Sequence, residues 1–220
     1  MASTVVGNKP HGEEQVHYVG ELTQKSAQEL ASFTRSDNPL EASIGLAAIN
    51  SALSIKGSKI QELSAIEVLI KKGSGKTITL VGHFPFIPEL KKAAQDLRVL
   101  ELFPSGRDYS ADHAYKRIPQ SDIVALTSNT MINHTIVNLL TLCRENAFVM
   151  MFGTSTPMSP ILFDYRVSLL AGVEIVNPNA VMRTVSQGAI LQQVQGIKRI
   201  TMQRPLNPYP LLSKDWMMIN

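Results

Sequence analysis

Between Lys76 and Met202 the chain alternates two patterns. Short, nearly continuous apolar runs read as strands: TITLVG at 77–82, RVLELF at 98–103, DIVALTS at 122–128, AFVMMFG at 147–153, VSLLAGVEIV at 167–176 and KRITM at 198–202. Runs of that kind belong to a sheet covered on both faces. Between them lie stretches with apolar residues three or four apart, which read as helices: 88–97, 131–145 and 180–195. In 131–145 the stripe is Ile132, Ile136, Leu139, Leu140 and Cys143. Strand and helix in alternation predict a mainly parallel sheet in a Rossmann-like α/β domain.

The first 75 residues are patterned differently. QVHYVGEL at 15–22 reads as a strand closing on Gly20, and 23–35 as a helix with Ala27, Leu30 and Phe33 on one face. A helix over Pro39–Leu53 has clear start signals: Asp37 or Asn38 as cap, Pro39 in the first turn and Glu41 at the positive end. Gly45 lies inside it at a cost of about 1 kcal/mol relative to alanine, which implies close packing or a ligand. A further helix is expected over 57–73, with Ser58 and Gln61 as a capping box and Lys71-Lys72-Gly73 as its end. The predicted organisation is a small α+β unit with a linking helix at 1–75, then a Rossmann-like domain at 76–220 with a docked, proline-punctuated C-terminal tail carrying Trp216.

Composition narrows the class. The 220 residues are 44% hydrophobic and 18% charged, as in soluble globular proteins, and no run is long enough to span a bilayer. The single cysteine, Cys143, leaves no intrachain disulfide and suits a reducing cytoplasm. The net charge of +3 is spread over pairs such as Lys71-Lys72 and Lys91-Lys92, without the clustered footprint that nucleic acid requires. Neither nucleic acid nor membrane is therefore expected as a partner; a small molecule is, with a second copy of the chain for assembly.

In a doubly wound sheet, ligands bind beyond the carboxyl ends of the strands. Those ends carry Gly82-His83-Phe84-Pro85, Glu101, Thr127-Ser128-Asn129-Thr130 and Gly153-Thr154-Ser155-Thr156. The two hydroxyl-rich loops run toward helix starts, where free N–H groups can hold an anion; helix capping alone is the plainer reading for any single hydroxyl. Glu101, nineteen positions after Gly82, stands where a Rossmann acid meets ribose hydroxyls. The glycine fingerprint is absent, and Pro85 and Pro88 offer no N–H to a pyrophosphate, which argues against a dinucleotide. The turn should instead be stiff and present His83 or Phe84 as a pocket wall for a planar ligand. Asp108, Asp112 and His113 in the loop at 104–122 form a carboxylate–imidazole set suited to a divalent metal ion.

NPLEASIGLAAINSAL, VGHFPF, SDIVALTSNTMINHT and FGTSTPMSP together resemble the "Putative heavy-metal chelation" family over roughly Val19 to Met202. The resemblance implies an enolase-N-terminal-like unit joined to a Rossmann-like domain, with a ligand pocket between them. The family's glycine–aromatic–proline turn matches Gly82 to Pro85, its acid Glu101, its threonine-rich loop Thr127 to Thr130 with Asn133, its second loop Gly153 to Pro157, and its helix asparagine Asn50. Arg166 stands near a position where the family often has glycine. The leading expectation is a protein that binds a metal, a chelator or another small molecule, in heavy-metal chelation or chelator metabolism. The alternatives are an enzyme using a nucleotide-like cofactor such as S-adenosylmethionine, held by Glu101, and a non-catalytic metal module.

Overall fold

A computed structural model describes residues 1–4, 15–55 and 60–204. Up to residue 55 the described elements are helical. A 3-10 turn at Leu22–Gln24 leads into α1 (Ala27–Ala31), a second 3-10 turn at Ser32–Arg35, and α2 (Pro39–Ala52). Ser26 and Glu29 form a capping box on α1, and Asn38 caps α2 through Leu40 N–H. The strand expected over 15–22 is a turn instead. Tyr18 and Gly20 both have positive φ, and Glu21 N–H donates to Tyr18 C=O across it. Alternation of apolar and polar residues there reflects contacts of single side chains, such as Tyr18 stacked on Phe33, not a pleated face.

The rest builds the sheet. β1 (Ile60–Gln61) and α3 (Ala65–Gly73) precede β2 (Thr77–Val81), α4 (Ile87–Ala93) and β3 (Asp96–Glu101). Then come β4 (Tyr109–Ser110), α5 (Ala114–Arg117), β5 (Ile123–Thr127), α6 (Asn129–Ile132), α7 (Ile136–Leu142), β6 (Phe148–Phe152), β7 (Leu169–Ile175), α8 (Pro178–Ser186) and β8 (Ile197–Gln203). One eight-stranded sheet runs in the order β1-β8-β7-β6-β5-β2-β3-β4. Every pairing from β7 to β4 is parallel; β8 is antiparallel to β7 and to β1. The mixed α/β class with a mainly parallel sheet is thus as the pattern predicts.

Helical boundaries differ from the pattern in several places, among them the helix expected over 88–97, which ends at Ala93 because β3 already starts at Asp96. The helix expected from Ser58 starts at Ala65, where the Ser64 hydroxyl accepts from Glu67 N–H. Ile60 and Gln61 pair with Met202 and Thr201 instead, so the segment before α3 is built into the sheet. Ser58 and the C-terminal tail lie outside the described residues. The single helix over 131–145 is broken at His134, whose φ is 61°, and the helix over 180–195 stops at Ser186 ahead of Gly188.

Both faces of the sheet are packed. Ile78, Leu80, Ala125, Met150 and Phe152 meet Leu69 of α3 and Leu90 of α4 on one face. Val124, Leu126, Val149 and Met151 meet Leu139 and Leu140 of α7, with Cys143, on the other. Ala42 and Leu46 of α2 close on Ile132 of α6, which ties the N-terminal helices to the carboxyl edge of the sheet.

Candidate functional site

The chain leaves β2 for β3 on one side and then returns to β5 on the other. The crevice beyond the carboxyl ends of β2 and β5 is therefore the topological switch point of the sheet. Gly82, Glu101, Thr127 and Gly153 follow or end β2, β3, β5 and β6, so all four stand at that edge.

The turn after β2 is held by its own residues. Gly82 has φ 110°, and a Cβ there would come within 2.6 Å of the Phe84 ring. Glycine is required both for the angle and for the ring that folds back over it. Phe84 stacks on Phe86 at 5.2 Å between centroids and meets Phe152 at 4.7 Å. Pro88 lies in the first turn of α4, where its missing N–H costs nothing. Glu101 accepts from His83 N–H at 2.6 Å and from Leu102 N–H at 3.1 Å, one bond to each oxygen. Its carboxylate is spent on bracing the turn, and a ribose diol would have to share both oxygens. The His83 ring, about half exposed, places Nδ1 2.7 Å from Asp108 Oδ2; the Asp108 side chain is 8% exposed.

Beside this turn lies a cavity of about 640 Å³. Val81, Phe84, Leu100, Leu102, Leu139 and Leu142 give it apolar walls, and His83, Asp112, Asn129, Asn133 and Asn138 are among its polar groups. The Thr127–Thr135 loop that forms its rim is largely self-satisfied. Thr130 Oγ1 donates to Thr127 C=O at 2.7 Å, and Asn133 Oδ1 accepts from the Thr135 hydroxyl at 2.7 Å. These side chains shape the turn at the start of α6 and α7, as hydroxyls and amides do at helix starts.

The 153–156 loop faces elsewhere. Gly153 has φ 131°, and a Cβ there would strike Ser128 Oγ at 2.4 Å. Ser155 Oγ accepts from Ser3 N–H at 2.7 Å, and Thr154 and Ser3 share a hydroxyl bond at 2.9 Å. Asn50 Nδ2 donates to Met1 C=O and to Ser155 C=O, both at 2.9 Å, so Asn50 fastens α2 and the first residues to this loop. Among the described residues, Asn50 Oδ1, Ser128 Oγ and Thr156 Oγ1 are buried without a partner. Asn50, Thr154 and Thr156 line a cleft of about 380 Å³, while Pro85, Gly153 and Thr154 line another of about 370 Å³ on the Phe86 side. The residues expected to share one pocket are spread over adjoining spaces, the two clefts having Thr154, Val173 and Ile200 in common. Phe84, folded onto Phe86 and Phe152, lines both the largest and the Phe86-side space. Among the described residues the cavity at the switch point is lined by positions from 81 to 142, while Met1, Asn50, Ser51, Leu53 and Ile55 line the cleft at Asn50.

The proposed metal set does not assemble. Asp108 turns to His83, Asp112 accepts weakly from Ser110 Oγ at 3.4 Å, and the His113 ring lies 5.8 Å from that of Tyr109. Among the described residues no group of three or more His, Cys, Asp or Glu side chains is placed to hold a metal ion. A bare ion seeking a cage of protein donors therefore does not fit these residues. The His83–Asp108 pair is the feature that sequence reasoning missed, because twenty-five positions separate its members and no local spacing marks them. Nor is any helix among the described residues long and apolar enough to cross a membrane.

The fold has known relatives. The DUF364 family model, described as "Putative heavy-metal chelation", matches residues 64–203, more than half of the chain. This protein belongs to that family. A second model with the same description, DUF4213, matches residues 1–53. The uncharacterised protein MJ0500 of Methanocaldococcus jannaschii is 24% identical over 160 residues, which are 70% of this chain and 62% of that one. The chain thus spans less than two thirds of that relative's length. A DUF364-family crystal structure from Desulfitobacterium hafniense superposes with a TM-score of 0.74 at 25% identity, over 81% of this chain and 75% of that one. A second, PH1506 from Pyrococcus horikoshii, gives 0.70 at 17% identity over 80% and 74%, a likeness of fold alone.

Proposed function

We propose that this protein binds a planar organic chelator, or the heavy-metal complex of one, in the cavity at the switch point between β2 and β5. The observation that carries the reading is the cavity itself. It combines about 640 Å³ with apolar walls and a rim that carries His83, Glu101, Asp112, side-chain amides and threonine hydroxyls. Apolar walls with carboxylates at the rim suit a flat ring system better than a phosphate-bearing nucleotide. The turn over it agrees, since Pro85 and Pro88 withhold N–H groups and the loop wall is aromatic. The metal would be cargo carried by the ligand, which fits the family description without asking the protein for a cage of donors.

The test is calorimetry with 2,2′:6′,2″-terpyridine, a planar tridentate chelator, and with its zinc complex. Asn138 is exposed on α7 and lines the cavity, so Asn138→Trp fills the space without disturbing the core. Wild type should bind terpyridine at one site, and Asn138→Trp should weaken binding at least about tenfold, or ~1.4 kcal/mol. NAD and S-adenosylmethionine at the same concentration should not bind. Terpyridine binding indifferent to Asn138→Trp, or S-adenosylmethionine binding abolished by it, would refute the proposal.

A further inference from the structure

We infer that His83, oriented by Asp108, is the protein's one direct ligand to the metal of a chelate seated in this cavity. The inference rests on the proposed function and adds the atom that would recognise the metal. Nδ1 of His83 lies 2.7 Å from a carboxylate oxygen of Asp108. A carboxylate there accepts the Nδ1–H, which fixes the tautomer and leaves the lone pair on Nε2. A carboxylate behind the imidazole is the arrangement that orients metal-ligating histidines. The ring is fixed from its backbone as well, because His83 N–H donates to Glu101 at 2.6 Å. Asp108 is nearly buried while the imidazole is about half exposed and lines the cavity, so Nε2 is the ring nitrogen left for a ligand.

One donor would not hold a bare ion. Zinc and its neighbours take four or more ligands, and no third protein donor joins the pair among the described residues. A planar tridentate or similar chelate brings most of its own donors and lacks only the last. The step is a ligand exchange: Nε2 forms one bond to the metal, the bond to a coordinated water breaks, and no proton or electron moves. Imidazole selects copper, nickel and zinc complexes over those of calcium or magnesium. The cavity walls then choose the chelator, and His83 reports whether it is loaded.

Copper(II)–terpyridine leaves one equatorial position open and is the probe. Titrated into wild-type protein, it should bind more tightly than metal-free terpyridine. Its electron paramagnetic resonance spectrum should gain the signature of one coordinated imidazole. In His83→Phe that signature should vanish, and copper(II)–terpyridine should lose its advantage over metal-free terpyridine measured on the same variant. Asp108→Asn, which keeps the imidazole but weakens its partner, should cost about tenfold, at the low end of what second-sphere carboxylates give. His113→Ala should change nothing. An imidazole signature that survives His83→Phe, or moves with His113→Ala, overturns the inference. So does equal binding of the loaded and metal-free chelator, and in that case the pocket reading still stands. If neither form binds wild-type protein, the pocket reading falls and the inference falls with it.

Discussion

Replacing Gly45 with alanine sets two effects against each other. Gly45 lies inside α2, and a central glycine costs a helix about 1 kcal/mol relative to alanine; alanine also reduces the freedom of the unfolded chain. On local grounds Gly45→Ala should stabilise. The structure reverses the sign. A Cβ at this position would lie 2.2 Å from the backbone nitrogen of Thr34 and 2.7 Å from the carbonyl carbon of Phe33. Those atoms belong to the 3-10 turn Ser32–Arg35, and no side-chain rotation can clear them. The turn would have to retreat by roughly 1 Å to reach ordinary contact. Overpacking of this kind costs about 1–3 kcal/mol, and a backbone obstacle puts it in the upper half of that range. Set against the helical gain, the net loss is about 1–2 kcal/mol. For a chain of this length that is a fall of roughly 2–8 °C in melting temperature. Circular dichroism melts of wild type and Gly45→Ala measure it, with urea midpoints as a second readout. Ala52→Gly at the exposed end of the same helix should cost no more than about 1 kcal/mol. A Gly45→Ala variant that melts higher than wild type would refute the close approach of α2 to residues 33 and 34.

Further outcomes follow from the core and from α2. Burial pushes the Cys143 thiol up to about 11, only partly opposed by the Arg166 guanidinium, so a disulfide reagent at pH 8 should leave the native protein unlabelled and titrate one thiol in urea; rapid labelling of folded protein would contradict the packing. Glu41 is buried, which alone would raise its carboxyl, but bonds from His17 N–H, the Ser36 hydroxyl and the His17 ring prevail and hold it below the usual range. Because the folded value is depressed, Glu41 contributes stability above the unfolded value of about 4.3, and that contribution disappears as pH falls through the lower folded value. Urea midpoints recorded from pH 7 to pH 3 should therefore fall more steeply for wild type than for Glu41→Gln, and parallel curves would count against the Glu41 network.

The switch-point edge was legible because strand and ligand edge are both local signals. Continuous apolar runs such as AFVMMFG can only be buried on both faces, and parallel strands then put their following loops on one side. Gly82, Glu101, Thr127 and Gly153 could thus be placed together from their positions in the chain. The cap at Asn38 and the need for a packing reason at Gly45 were legible for the same reason, since each is decided within a turn of helix. Local pattern could not say that Ile60 and Gln61 would pair with Met202 and Thr201, more than a hundred residues away, or that β8 would run antiparallel to β7, because strand pairing is decided by contacts well beyond one element. It also could not break the 131–145 stripe at His134, where periodicity continues across a left-handed residue. The site suffered most from this limit. Tertiary packing turned Phe84 back over Gly82 and spread the expected site residues over adjoining cavities. It also took Asp108 from a supposed metal set and gave it to His83. Periodicity records which face of an element is buried; which side chains meet across that burial is settled only when the whole sheet closes.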